Sequence, residues 1–287
     1  MFFIISFIVV VASVIGGYMA GGGHLAVLWM PFEFLIIFGA GIGAFIISNP
    51  KPILAASAKS FGSILKGSKY NKASYLELIG CLYAVFRLAK SKGDLALESH
   101  VEKPDESPLF QSFPGFAKDH HALVFLCDYL RLLTLGTSNA FELEGVMEAE
   151  LETHHGEMHT VSGAVSTLGD SLPALGIVAA VLGVIHTMGS ITEPPEVLGH
   201  LIGGALVGTF SGILMAYGLV SPMGKSLENT FNAEGQYMTC IKVALIAHMQ
   251  GYAPQVSVEF CRKILTSDVR PTFAEVEEMV QNIPVQS

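Results

Sequence analysis

Histidine, carboxylate and hydroxyl groups are the side chains here that could move protons or hold ions, and their placement is uneven. The run His154-His155-Gly156-Glu157-Met158-His159 has metal-ligand residue types. It is not the HExxH arrangement, which sets two imidazoles one helical turn apart around a carboxylate. His120-His121 is a bare pair. Cys81, Cys127, Cys240 and Cys261 stand apart from one another with no CxxC pair, which supports neither a zinc site nor a disulfide framework. They read as reduced, packed thiols. The apolar stretches 171–192 and 197–223 contain no Asp, Glu, Lys or Arg, the side chains that intramembrane proton relays and ion sites use. His186 and His200 fall toward the outer ends of these stretches. If ions pass along this chain, another subunit must supply the titrating carboxylate. The small residues Gly176, Ala180, Gly183 and Thr187 on one stretch, and Gly204, Gly208 and Gly212 with Ala205, Thr209 and Ala216 on the other, would then form one wall of the path. Close packing of helix on helix accounts for the same small residues.

The elements that would position these groups follow from charge. All 16 Lys and Arg residues lie between Lys51 and Arg131 or between Lys225 and Arg270. The longest apolar runs lie where basic residues are absent, which is the positive-inside pattern of a polytopic membrane protein. The chain is 51% hydrophobic and 14% charged, against about a quarter charged in a soluble domain. Four segments approach the roughly 20 apolar residues needed to span a bilayer: 2–20, 34–48, 171–192 and 197–223. The hairpins 21–33 and 193–196 face outward. Both termini then lie inside, with the lipid bilayer as the anchoring partner. A cleaved signal peptide at 1–20 is the rival reading, but such a peptide has a positively charged start and this segment has none. The net charge of −9 without a basic stripe excludes nucleic acid as a partner.

The fold class expected is all-α, with four transmembrane helices and a large helical cytoplasmic domain. Residues 1–49 hold the first two spans, 50–169 a cytoplasmic helical domain, 170–223 the third and fourth spans, and 224–287 a cytoplasmic tail that packs with 50–169. Inside 50–169, residues 53–67 read as a helix. Tyr75, Ile79, Leu82, Tyr83 and Phe86 recur at helical spacing and give one apolar face. Residues 103–114, broken by Pro104, Pro108 and Pro114, read as a loop, and 123–135 and 141–152 as two further helices. Asp170-Ser171-Leu172-Pro173 reads as a helix start, with Asp or Ser as cap and an early proline. Ser221-Pro222 reads as a helix stop. Residues 225–250 form an amphipathic helix, broken at 251–254 and followed by shorter helices at 256–265 and 272–281.

Longer strings then resemble a known family. Gly169-Asp-Ser-Leu-Pro-Ala-Leu-Gly-Ile-Val-Ala-Ala-Val-Leu-Gly183, Leu206-Val-Gly-Thr-Phe-Ser-Gly-Ile-Leu-Met-Ala-Tyr-Gly218 and Ser221-Pro222 are similar to the MotA family of flagellar motor stator subunits, within the MotA/TolQ/ExbB proton channels. So are Gly251-Tyr-Ala-Pro254 with Val258-Glu-Phe-Cys-Arg262, and Arg270-Pro-Thr-Phe273. The resemblance spans essentially the whole chain. It implies a MotB-type partner whose single membrane helix carries the missing aspartate, a pentamer of this chain around two such helices, and torque on the rotor protein FliG. It places Pro173, Pro222, Thr209, Ala180, Asp170, Gly208 and Tyr217 along the ion path, the two prolines coupling ion flow to conformational change. It places Lys90, Lys92 and Glu98 at the rotor contact, with Lys90 where many relatives have Arg. Lysine keeps the charge and loses the planar fork.

No cofactor is implied, and the transported ion is expected to be the proton rather than sodium. A sodium site needs several oxygen ligands, and the resemblance implies that sodium-driven relatives carry hydroxyls at positions matching Ala180, Gly208 and Thr209, of which only Thr209 has one here. The location implied is the bacterial inner membrane. An energy transducer of the ExbB or TolQ type is the alternative, though three spans and an outside N-terminus are expected of it. A membrane-embedded enzyme would need a nucleophile, metal ligands or an acid–base pair facing a cavity, and no such set is visible.

Overall fold

Four helices of the computed structural model, which describes residues 2–137 and 139–283, are long and apolar enough to cross a bilayer. Residue 1 of the first expected region and residues 284–287 of the tail lie outside the described residues. Among the described residues every regular element is helical. The principal helices are α1 (Phe2–Ala20), α2 (Pro31–Ser48), α3 (Lys51–Lys66), α4 (Lys72–Lys92), α5 (His120–Thr134), α6 (Ala140–Met188), α7 (Pro195–Met215), α8 (Ser221–Met249), α9 (Pro254–Ile264) and α10 (Phe273–Gln281). Short turns of helix fill the proline-rich stretch between α4 and α5. The chain forms two compact units, Met1–Gly67 with Glu157–Phe231 and Ser68–Gly156 with Asn232–Ser287.

The first unit holds the membrane-length segments. Ile8, Leu35, Ile47, Ile185 and Leu206 stay exposed, as suits helices whose outer faces meet hydrocarbon rather than water. Inside it, Ile37, Leu172, Ala179 and Ala216 form one small core, and Ile64, Val165 and Leu227 another.

The second unit is built around α4. Asn71 caps it: its side chain accepts from the backbone N–H groups of Ala73 and Ser74, and Ser74 answers the Asn71 N–H in a reciprocal box. Of the expected face Tyr75, Ile79, Leu82 and Phe86 are buried and Tyr83 is half-buried, while Leu78, Cys81 and Val85 are buried as well. The helix is thus enclosed on nearly all sides rather than on one face. Gly80 lets α10 approach, since an added Cβ would meet the Met279 sulfur at 2.5 Å. Tyr237 of α8 packs against Tyr70 and Tyr75 with centroids 4.6 and 5.3 Å apart, and Tyr70 donates to Asp119. Arg262 is almost fully buried, held by Glu259 and donating to the Pro271 carbonyl oxygen. All four cysteines are free and buried. Burial pushes the Cys127 thiol up to about 12, so it stays protonated at neutral pH.

Three boundaries depart from expectation. The helices expected at 141–152 and 171–192 are parts of one, α6, 49 residues long with Pro173 in its interior. Asp170 and Ser171 therefore cap nothing. The expected stop at Ser221-Pro222 is a helical entry instead: α7 passes through a π-turn, Ala216–Val220, straight into α8. Proline removes one backbone donor and crowds the preceding turn. A helix in apolar surroundings nonetheless stays helical, because an unwound backbone there would leave several polar groups without partners.

Candidate functional site

The two charge-free stretches meet along a seam of small residues within the first unit. An added Cβ at Gly176 would lie 2.8 Å from the Gly208 carbonyl oxygen and 3.1 Å from the Gly212 Cα. One at Gly212 would lie 2.6 Å from the Leu172 carbonyl oxygen. At Gly208 it would reach the Ala179 Cβ at 3.0 Å and the Ala180 nitrogen at 3.1 Å. Van der Waals packing associates helices inside a membrane, and small residues let backbones approach. The glycine faces expected to line a shared path are thus largely occupied by each other: Gly204, Gly208 and Gly212 are buried, and Ala180 and Thr209 half-buried.

Below that crossing the seam continues to both prolines. Gly169, whose carbonyl would accept from residue 173 were it not proline, is pressed against Ser221: a Cβ there would stand 2.5 Å from the Ser221 hydroxyl and 3.0 Å from its nitrogen. Ser221 directly precedes Pro222, and its hydroxyl is buried without a partner among the described residues. One turn further, Gly224 is pressed against Ser166. The structure therefore brings the two proline turns to the same level of neighbouring helices. It leaves Asp170, Tyr217 and Pro222 exposed and Pro173 half-buried.

One acid in this region, Glu33, was expected at the end of the outward hairpin 21–33. Glu33 lies in the first turn of α2, after Pro31. Its carboxylate oxygens approach the seam, Oε1 standing 3.3 Å from a Cβ placed on Gly183 and Oε2 3.0 Å from one placed on Gly208. Oε2 is buried and has no hydrogen-bond partner among the described residues. A cavity of about 500 Å³ opens beside it, lined in part by His186, His200 and Gly204. The signal was available in sequence. Pro31 at a first helical position starts a helix, and the acid two residues later belongs to that helix rather than to the loop.

The charges expected at the rotor contact lie in the second unit. Lys90 and Lys92 end α4, and Glu98 opens a short helical turn, Glu98–Glu102. All three are exposed, and among the described residues neither lysine is paired with Glu98. Lys90 instead donates to the Gly251 carbonyl oxygen at 3.4 Å. Gly251 has φ +87°, a left-handed conformation that suits glycine. The Lys90 stretch and the Gly251-Tyr-Ala-Pro254 string, more than a hundred residues apart in sequence, thereby adjoin one cavity of about 340 Å³ with Asp94 and His248.

Family models match the chain in two places: Motility protein A N-terminal over residues 4–93, and the MotA/TolQ/ExbB proton channel family over residues 123–240. Motility protein A of Salmonella typhimurium is 42% identical over 283 residues, covering 99% of this chain and 96% of that protein. Motility protein A of Escherichia coli is 43% identical over the same shares. The chain belongs to the motility protein A family.

Two solved structures agree in fold. One, of the flagellar MotAB stator complex from Bacillus subtilis, superposes with a TM-score of 0.70 at 25% identity, covering 89% of this chain and 92% of the other. The other, of C. jejuni MotAB, gives 0.79 at 24% identity, covering 94% and 98%. Membership makes this a multi-pass membrane protein and a stator subunit that forms part of an ion channel, not an enzyme. It also decides against the ExbB or TolQ alternative, since the match to the motility proteins runs the length of the chain.

Proposed function

We propose that this chain is the wall and lever of a proton-driven flagellar stator, completed by a MotB-type subunit that brings a membrane aspartate. The observation that carries this is the seam. Two spans without a charged residue between 171 and 192 or between 197 and 223 pack so closely at Gly176, Gly208 and Gly212 that they act as one rigid wall. Such a wall can guide an ion but cannot titrate with it. Glu33 brings a carboxylate of this chain to the seam, beside Gly183 and Gly208. A single partner helix would run past Ala180 and Thr209, which are the half-exposed members of the crossing.

Five copies surround two partner helices in this reading, and each protonation and release at the partner's aspartate advances the ring. Pro173 and Pro222, with Asp170 and Tyr217 on the same segments, transmit the change to the second unit. There Lys90, Lys92 and Glu98, exposed and unpaired with one another, meet FliG. Exposed charge pairs are each worth about 0–1 kcal/mol, which suits a contact remade at every step. The protein lies in the inner membrane with both termini in the cytoplasm, and it needs no cofactor. The proton is favoured over sodium because Thr209 is the one hydroxyl among Ala180, Gly208 and Thr209.

The test is motility of flagellated cells that lack their own stator, supplied with this chain and its partner. Swimming is expected to survive replacement of sodium by potassium and to stop with a protonophore. Loss on sodium removal would overturn the ion, and cation flux through liposomes holding this chain alone would overturn the borrowed acid.

A further inference from the structure

Two of the histidine clusters of the sequence come together in the second unit, at a place the stator chemistry does not use. His121 lies in the first turn of α5, His154 on α6 and Glu234 on α8. Glu234 Oε1 is 3.1 Å from His121 Nδ1 and 3.9 Å from His154 Nε2. One ligand atom from each of the three falls within 4.8 Å of the others. The imidazole rings stand nearly perpendicular, with centroids 5.7 Å apart. His154 and Glu234 are mostly buried, while His121 is 58% exposed.

A hydrogen bond between His121 and Glu234 would explain half of this arrangement. It leaves His154 Nε2 buried, aimed at the same carboxylate oxygen and without a hydrogen-bond partner among the described residues. Metal geometry accounts for both halves. Zinc bonds to nitrogen and oxygen are about 2.0–2.2 Å long, and a tetrahedral angle then puts ligand atoms roughly 3.4 Å apart. The two separations at Glu234 Oε1 straddle that value, and drawing all three ligand atoms in from within 4.8 Å of one another takes side-chain adjustment of up to about 1.4 Å. A cavity of about 300 Å³, lined in part by His120, His121, Glu150 and His154, adjoins the cluster and leaves space for a water as fourth ligand. Two imidazoles and one carboxylate suit zinc, cobalt or nickel. Magnesium and calcium take oxygen ligands.

We propose that His121, His154 and Glu234 form a site for a divalent transition metal of the zinc class, which ties α5, α6 and α8 together. The inference is independent of the stator reading, because none of the three residues belongs to the ion path or the rotor contact. A metal that binds only the folded chain stabilises it by mass action. The site joins residues more than a hundred positions apart, so the crosslink closes a long loop.

The test uses the full-length complex purified without a polyhistidine tag, stripped with chelator and titrated with zinc chloride in a calorimeter. Saturable uptake of one zinc per chain is expected, with a rise in the thermal midpoint and no such response to magnesium. Cobalt should give the visible absorption bands of low-coordinate Co²⁺. His121→Asn, at an exposed position, and His154→Gln should each weaken zinc binding by at least about tenfold. His100→Asn, which belongs neither to the cluster nor to the lining of its cavity, should bind as the parent does. Absence of saturable zinc uptake by the parent would overturn the proposal, as would retention of full affinity in a protein carrying both His121→Asn and His154→Gln.

Discussion

Around Gly176 and Gly212 two helices approach until a methyl group has no room, whereas around Phe86 and Tyr237 the second unit fills its interior with the largest side chains it has. The first arrangement depends on what is missing. With hydrocarbon outside, no hydrophobic force drives apolar faces together, so shape and van der Waals contact decide. The second depends on burial, worth about 25 cal/mol per Å² of apolar surface removed from water. It is surrounded by caps and ion pairs such as Asn71 with Ser74, and Lys72 with Glu275. One region should therefore be intolerant of added atoms and the other of removed ones.

The sharpest break should come from Gly212→Val. Its side chain would run into the Leu172 carbonyl oxygen and the Gly176 Cα, both backbone atoms that cannot swing aside. Overpacking of this kind costs about 1–3 kcal/mol or more, and we expect complete loss of swimming with normal flagella. Gly163→Ala, which meets nothing within 4 Å, should swim as the parent does. Equal behaviour of the two would sink the seam as the organising feature. In the second unit, Phe86→Ala should remove about 3–5 kcal/mol of stability, seen as a lower thermal midpoint of the purified complex.

Glu33→Gln keeps shape and removes charge. We expect slower swimming at unchanged protein level, with Glu33→Asp intermediate, and unaltered speed would show that the carboxylate only packs. The smallest effects belong to the C-terminal cap. Thr272→Ala removes the side-chain oxygen that accepts from the Glu275 N–H, costing about 0.5–2 kcal/mol.

The same cap is pH-dependent. Hydrogen bonds from Lys72 and from Thr272 hold the Glu275 carboxyl down at about 2, below its ordinary 4.5. A carboxylate depressed in the folded state stabilises above the ordinary value and loses that contribution as pH falls toward the lowered one. Proteolysis of α10 should accelerate between about pH 5 and pH 2, and Lys72→Met should flatten the dependence.

The four spans were legible because an apolar run of membrane length needs no partner to be recognised. The enclosure of α4 was half legible: Tyr75, Ile79, Leu82 and Phe86 announce one face, but burial of Leu78, Cys81 and Val85 depends on α9 and α10, far along the chain. The prolines misled. In water Pro173 and Pro222 read as a start and a stop, and nothing in their spacing reveals that apolar surroundings hold the backbone helical through both. The runs that hold His121 and His154 stood out in sequence as histidine-rich, but nothing there brought them to each other or to Glu234, since each comes from a different helix.

The wide turn at Ala216–Val220 has one more consequence. A regular helix advances about 100° per residue, and a π-turn accommodates one residue more than an α-turn. The first turns of α8, as far as Phe231, are therefore re-phased by about that angle relative to Pro195–Met215. In that shifted phase Leu227 packs with Ile64 and Val165. Deleting a single amino acid within this turn would restore a uniform spiral and swing that leucine out of its niche, so the surplus residue works as a fixed rotational offset between the upper and lower stretches of one continuous rod.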